Sequence, residues 1–308
     1  MKIFLSHLFF LVFLTFSFAQ INDQDSTVYV KAYWNKDDSH SYVFNSKELK
    51  KVQNVIEQEE EFSYQVNINV VDVFEDEKTI CWKYDNVKFK SDKFVNNPFS
   101  LLDVIQICYV VDKDGRFERY VDLDKTIQTL IFTSEKLQNE YLDNKEVFDQ
   151  ISKIAKQYST EESIVKIFEK DIKQFHLFYG TGTYKPEITK VEYTSYLDNL
   201  FSTSPTPAKT ILQLNDIAFS GTNYIMHGFQ QADKEWLANS WFNYLKKLAE
   251  KLETEQPDES HLNDEIIYNV TTNSRIKDNG WLSFSKEIKK VQFQDTDYTL
   301  ERRIELMN

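Results

Sequence analysis

Glycine is scarce in this chain, six in 308 residues, where average usage would give about twenty. So few glycines leave little room for phosphate-cradling loops, and neither a P-loop nor a Gly-x-Ser-x-Gly elbow is present. Tyr179-Gly180-Thr181-Gly182-Thr183 comes nearest, and two glycines behind an amphipathic run read as a helix stop. Cysteine is limited to Cys81 and Cys108, too few for a zinc framework. Four histidines lie beyond the first twenty residues: His40, His176, His227 and His261. None stands three or four positions from another, so there is no helix-borne metal pair and no His-Glu-x-x-His. Single histidines without partners read as structural or surface residues. Acid pairs such as Asp112 and Asp114 read as turn residues. No catalytic residue, metal ligand or cofactor is assigned on this basis, and a non-enzyme is expected.

Long apolar runs are also missing, with one exception at the start. Lys2 is followed by an apolar core from Phe4 to Leu14, and Ser17-Phe18-Ala19 ends it with small residues before Gln20. That three-part layout is a cleavable secretory signal over residues 1–19. The run is shorter than the ~20 residues a spanning helix needs, and no later one is longer, so a soluble, periplasmic or secreted mature chain is expected. Losing Lys2 leaves 35 of the 36 basic residues against 49 acidic ones, a charge of −14. Such a body repels phosphate backbones and anionic lipid surfaces, which argues against nucleic-acid partners. An oxidising compartment permits a Cys81–Cys108 disulfide, and two unpaired thiols are equally compatible with the sequence.

What the chain has in quantity is aromatic residues, 15% of it, with 24 Phe and 17 Tyr, which suits pleated, half-buried strands. A polar segment over 20–39 surrounds one short strand-like run from Val28 to Trp34. The body over 40–308 then divides into strands at 40–121, helices at 123–180, and strands with one helix at 186–308. Tyr42 to Ile56 is a first strand and Glu57 to Glu61 an acidic turn. Phe62, Tyr64, Val66, Ile68 and Val70 alternate with Ser63, Gln65, Asn67 and Asn69, the period of a sheet with one buried face. The phase slips at Val71 and Val73, a bulge signal. Trp82 and Tyr84 continue in a third strand, and Asp112-Lys113-Asp114-Gly115 marks a hairpin.

From Leu123 the period becomes helical, in three amphipathic segments; Ser159 with Glu162 suggests a capping box for the third. A fourth helix starts near Asp233, with Leu237, Trp241, Leu245, Leu248 and Leu252 on one stripe. In the last strand Arg302 interrupts the inner row of Tyr298, Leu300, Ile304 and Leu306. The fold class is therefore α+β. It is an antiparallel β-meander, as a curved sheet or half-barrel, with an inserted three-helix segment and one later amphipathic helix. Phe62, Tyr64, Trp82, Tyr84, Trp236 and Trp241 are the candidate lining of a ligand cavity between sheet and helices; an ordinary core is the alternative.

The strand Phe62 to Val70, Trp82 to Tyr84, the hairpin Val111 to Phe117 and the late Gly280 to Leu282 together resemble exported proteins of unknown function common in Bacteroidota. The resemblance covers most of the mature chain and implies no activity. In architecture alone the pattern is similar to the periplasmic lipoprotein-carrier fold, and fold does not fix function. Three functions follow, in order. The first is an exported, non-catalytic binding protein of the bacterial envelope for an apolar or lipid-like ligand. The second is an envelope protein–protein interaction module, and the third a hydrolase.

Overall fold

Two meanders meet along one seam. A computed structural model describes residues 21–22, 26–90, 103, 105–218, 222–258 and 266–307. The signal segment 1–19, His261 and the expected turn at Ser220-Gly221 lie outside the described residues. After a short β1 (Ile21–Asn22) and β2 (Thr27–Tyr29), five strands run back and forth: β3 (Ser39–Val52), β4 (Val55–Phe74), β5 (Glu77–Lys90), β6 (Gln106–Asp112) and β7 (Phe117–Val121). Three helices follow, α1 (Leu123–Glu140), α2 (Lys145–Gln157) and α3 (Glu161–His176). After β8 (Thr183–Tyr184) come β9 (Lys190–Leu197), β10 (Thr206–Ile217), β11 (Asn223–Ala232), α4 (Lys234–Leu252), β12 (Ile266–Lys277), β13 (Leu282–Phe293) and β14 (Thr296–Leu306). β14 pairs with β3, which joins the two meanders into one antiparallel sheet of 11 strands with β7 and β9 at its edges. The sheet stays open, and α1–α3 carry the chain from one edge to the other.

The alternation of β4 is as expected. Tyr64, Val66, Ile68 and Val70 are buried on the helix-facing side, and the register shifts between Val70 and Asp72. The expected acidic turn at Glu57 to Glu61 is instead strand. The chain turns at Gln53-Asn54, and the glutamates pair across to β3, where Lys47 contacts Glu59 and Glu61 and Lys50 contacts Glu57. Opposite charges directly across a ladder make that run compatible with a sheet. The capping box at α3 belongs to Thr160 and Ser163, one residue on from the expected pair. On α4 only part of the expected stripe is covered: Leu237 is buried, whereas Leu248 and Leu252 are exposed.

Val28, Val30, Ala32 and Trp34, within the segment read as polar, are fully buried in the main core. Two glycine motifs hold this segment. Ala32 donates its N–H to the Asp114 carbonyl at 2.9 Å, and Gly180 donates to the Val30 carbonyl at 2.8 Å. Gly115 has φ 98°, and a Cβ there would stand 2.7 Å from Ala32 Cβ, so close approach and left-handed backbone both demand glycine. Gly180 therefore serves the same clasp as well as ending the helical block.

On the sheet face away from the helices, Cys81 and Cys108 stand directly opposite each other on β5 and β6 and form a disulfide across 27 residues. The helix-facing side carries the core. Trp82, Phe168, Phe175, Tyr179 and Tyr109 interlock beneath α3, and a second cluster under α4 gathers Leu237, Ile266, Tyr268 and Val270.

Candidate functional site

The six aromatic residues singled out above fall in three places. Tyr64, Trp82 and Tyr84 are buried rings of the main core, with Tyr64 5.5 Å from Tyr84 and Trp82 5.4 Å from Phe175. Trp241 packs on Phe293 in the second cluster, and Trp236, 45% exposed, lies in the first turn of α4. Phe62 is half-buried and 5.2 Å from Tyr64, and both border a small cleft beside α3. Phe168, Ile172 and Phe175 of α3 join Trp82 and Tyr84 in that core.

One concavity lies beside Phe62. Here three cross-strand rows can be followed from β14 through β3 and β4 to β5: Arg302–Ser46–Phe62–Phe89, Glu301–Lys47–Glu61–Lys90 and Arg303–Asn45–Ser63–Lys88. A register shift between Ser63 and Gln65, with Asn86 at φ 53°, puts extra twist into this corner of the sheet. Residues of all three rows then border one cleft of about 390 Å³. Phe62 and Phe89 of the middle row are among the residues that border it; their rings are 5.9 Å apart and edge to face, and the Phe62 ring packs on Tyr64. Its rim carries Lys47, Lys88, Lys90 and Arg303 against Glu61 and Glu301.

A second, smaller cleft of about 180 Å³ opens on the other side of Phe62, between α3 and the sheet, and shares Asn45, Ser46, Phe62 and Arg303 with the first. At its base lies a charged cluster. Arg302, with its side chain 12% exposed, donates from Nη2 to Glu287 at 2.8 Å and to the Lys170 carbonyl at 2.9 Å, while Nη1 stands 3.6 Å from Asp171. Tyr64 donates its hydroxyl to Asp171. Gln174 of α3 donates to Ser285 of β13 at 3.1 Å, and Ser274 donates to the same hydroxyl at 2.9 Å. Burial pushes the Asp171 carboxyl above its ordinary range, and Arg302 and Tyr64 pull it part of the way back. The interruption of the inner row at Arg302 was the sequence signal for this cluster. The cleft itself had no such signal, because it depends on a register shift and on the β14–β3 pairing.

Among the described residues the histidines do not come together in a site. His176 is buried, donates from Nδ1 to the Gly115 carbonyl at 2.7 Å and accepts the Tyr109 hydroxyl on Nε2 at 2.7 Å. That arrangement fixes one neutral tautomer, and burial lowers its pKa to about 4. His227 bonds Asn273 at 2.9 Å, and His40 sits edge-on to Trp281. Neither His176 nor His227 is hydrogen-bonded to a carboxylate among the described residues, and no group of three or more potential metal ligands occurs there. No helix of the described residues is long and apolar enough to cross a membrane.

No family model and no curated protein matches this chain. Among solved structures, a lipovitellin chain, from a study of lipid–protein interactions in that protein, is similar over 89% of this chain. The TM-score is 0.46 and the sequence identity 11%. The present chain spans a quarter of that chain's length.

Proposed function

We propose that the mature chain is an exported, non-catalytic binding protein that takes an apolar or lipid-like ligand into the cleft that Phe62 and Phe89 help to border. The observation that carries this is the cleft itself: a concavity of about 390 Å³ that Phe62 and Phe89 help to border. That volume lies within the ~300–1,000 Å³ of small-molecule sites, which are mostly apolar with a few polar groups that orient the ligand. Export rests on the signal-like residues 1–19, and a protein recovered outside the cytoplasm with Gln20 at its N-terminus supports it. Titration with N-phenyl-1-naphthylamine, a neutral apolar fluorophore, tests the cleft. One saturable site, weakened at least tenfold in Phe89→Ser, is the expected result. Absence of saturable binding to folded protein removes the proposal.

A second reading, an interaction module for another envelope protein, is favoured by the edge strand β9. It pairs with β10 in continuous register from Lys190 to Leu197, contains no proline, and leaves Tyr196 exposed. Natural edges are usually blunted by proline, bulges or charge. A pull-down from envelope extract in which Tyr196→Lys recovers the same proteins as wild type counts against this second reading.

A further inference from the structure

We infer that the second half of α4 docks the protein on an anionic lipid bilayer, with Tyr244, Leu248 and Leu252 entering the headgroup layer and Lys247 and Lys251 meeting its phosphates. The first half of the helix has a different task. Leu237 is buried in the second core cluster, and Ala238 and Phe242 are buried too. The same side of the helix continues past Phe242 in exposed residues: Tyr244 is 41%, Leu248 36% and Leu252 61% exposed. Residues four apart stand one above another on a helix, so these three form one apolar row about 12 Å long. Trp241 stacks on Tyr244 at 5.7 Å, and Phe201 of the β9–β10 loop lies 6.3 Å from it, which gives the row an aromatic base.

Lys247 and Lys251 run alongside that row, each three residues on from Tyr244 and Leu248. Both are exposed, and neither has an ion pair among the described residues. Lys246, by contrast, lies over the Phe242 ring at 4.4 Å. Counted over the helix, four lysines stand against two glutamates, in a chain of charge −13. The rest of the molecule repels anionic lipid, so this positive, apolar strip fixes which side approaches it. The acids Glu255 and Asp258 that follow do not extend the strip, because Glu253 turns out of the helix with φ 54°. Three side chains exposed to this degree fall short of the ~800 Å² that each partner of a stable protein pair buries. They suit a bilayer surface, where a few apolar groups and added positive charge give reversible binding. Lysine stems lie along the apolar boundary while their charge stays in water, and tyrosine sits at the headgroup level. None of these residues borders the cleft beside Phe62, so bilayer binding stands or falls apart from the reading of that cleft.

Vesicle flotation tests the inference on the chain from Gln20 onward, which is free of the apolar run over residues 4–14 that would itself enter a bilayer. Vesicles of pure phosphatidylcholine are compared with vesicles containing phosphatidylglycerol, at low and at high salt. The protein is expected to bind the anionic vesicles at least tenfold more tightly, with the difference shrinking at high salt. Leu248→Ser with Leu252→Ser, and separately Lys247→Glu with Lys251→Glu, are each expected to weaken that binding at least tenfold. All four positions are exposed, so both double variants should keep the urea midpoint of the unaltered chain. No binding to either vesicle, equal binding to both, or undiminished binding by both folded double variants overturns the inference.

Discussion

Arg302 and Glu287 face each other across β14 and β13, joined at 2.8 Å inside the helix-facing layer, and Asp171 of α3 approaches the same guanidinium from above. This is how a charged residue stands in an otherwise apolar row. It is matched by a second charge on its neighbouring strand and a third on the helix that covers it. The cluster ties α3 to three strands, since Tyr64 of β4 also donates to Asp171.

Replacing Arg302 with methionine leaves the buried Asp171 and the partly buried Glu287 without their counter-charge, and breaking such a buried pair costs about 3–5 kcal/mol. Urea unfolding should register that loss. The triple change Arg302→Met, Asp171→Asn and Glu287→Gln should recover most of it, because the uncompensated charges are gone. A single variant within about 1 kcal/mol of wild type contradicts the arrangement on this estimate.

His176 makes stability depend on pH. Its folded pKa, about 4, lies below the ordinary 6.5, so the fold favours the neutral ring. The unfolded chain therefore binds the proton more readily, and stability is lost as pH falls from 6.5 through about 4. A shift of this size corresponds to on the order of 3 kcal/mol. Urea midpoints at pH 7 and pH 4 measure the loss, and the imidazole resonances followed by NMR assign it. A His176 ring that titrates near 6.5 in the folded protein refutes the buried, doubly bonded position.

The cross-strand disulfide should resist alkylation without reductant and appear as a 2 Da deficit in the intact mass, the two hydrogens lost when two thiols join. Removing it by Cys81→Ser with Cys108→Ser opens a loop of 27 residues. That change should lower stability by ~3–4 kcal/mol while keeping the fold. Two alkylatable thiols in protein purified without reductant would refute the bond.

Much of this was legible in the residues because it is local. Period-two alternation located β4 and its buried face, the phase slip after Val70 located the bulge, and Asp-Gly located the β6–β7 turn. Pairings distant in sequence were not legible. Glu57 to Glu61 read as a turn because its partners, Lys47 and Lys50, become neighbours only once β3 and β4 align. Alternation also says which side a ring faces and nothing about depth. Trp82 and Tyr84 thus read equally as a cavity lining or as ordinary core, and both are buried. The cleft needed the β14–β3 seam and the Ser63 register shift, which bring Arg303 and Lys88 to one rim from opposite ends of the chain.

Hydrogen exchange with and without dodecanoate tests most directly whether a ligand sits in this corner of the sheet. Slower exchange confined to residues 44–47, 60–63, 88–90 and 301–303, with α3 unchanged, is the expected pattern. Protection concentrated instead along α3 and the strands beneath it, or no change anywhere at saturating ligand, would contradict the cleft.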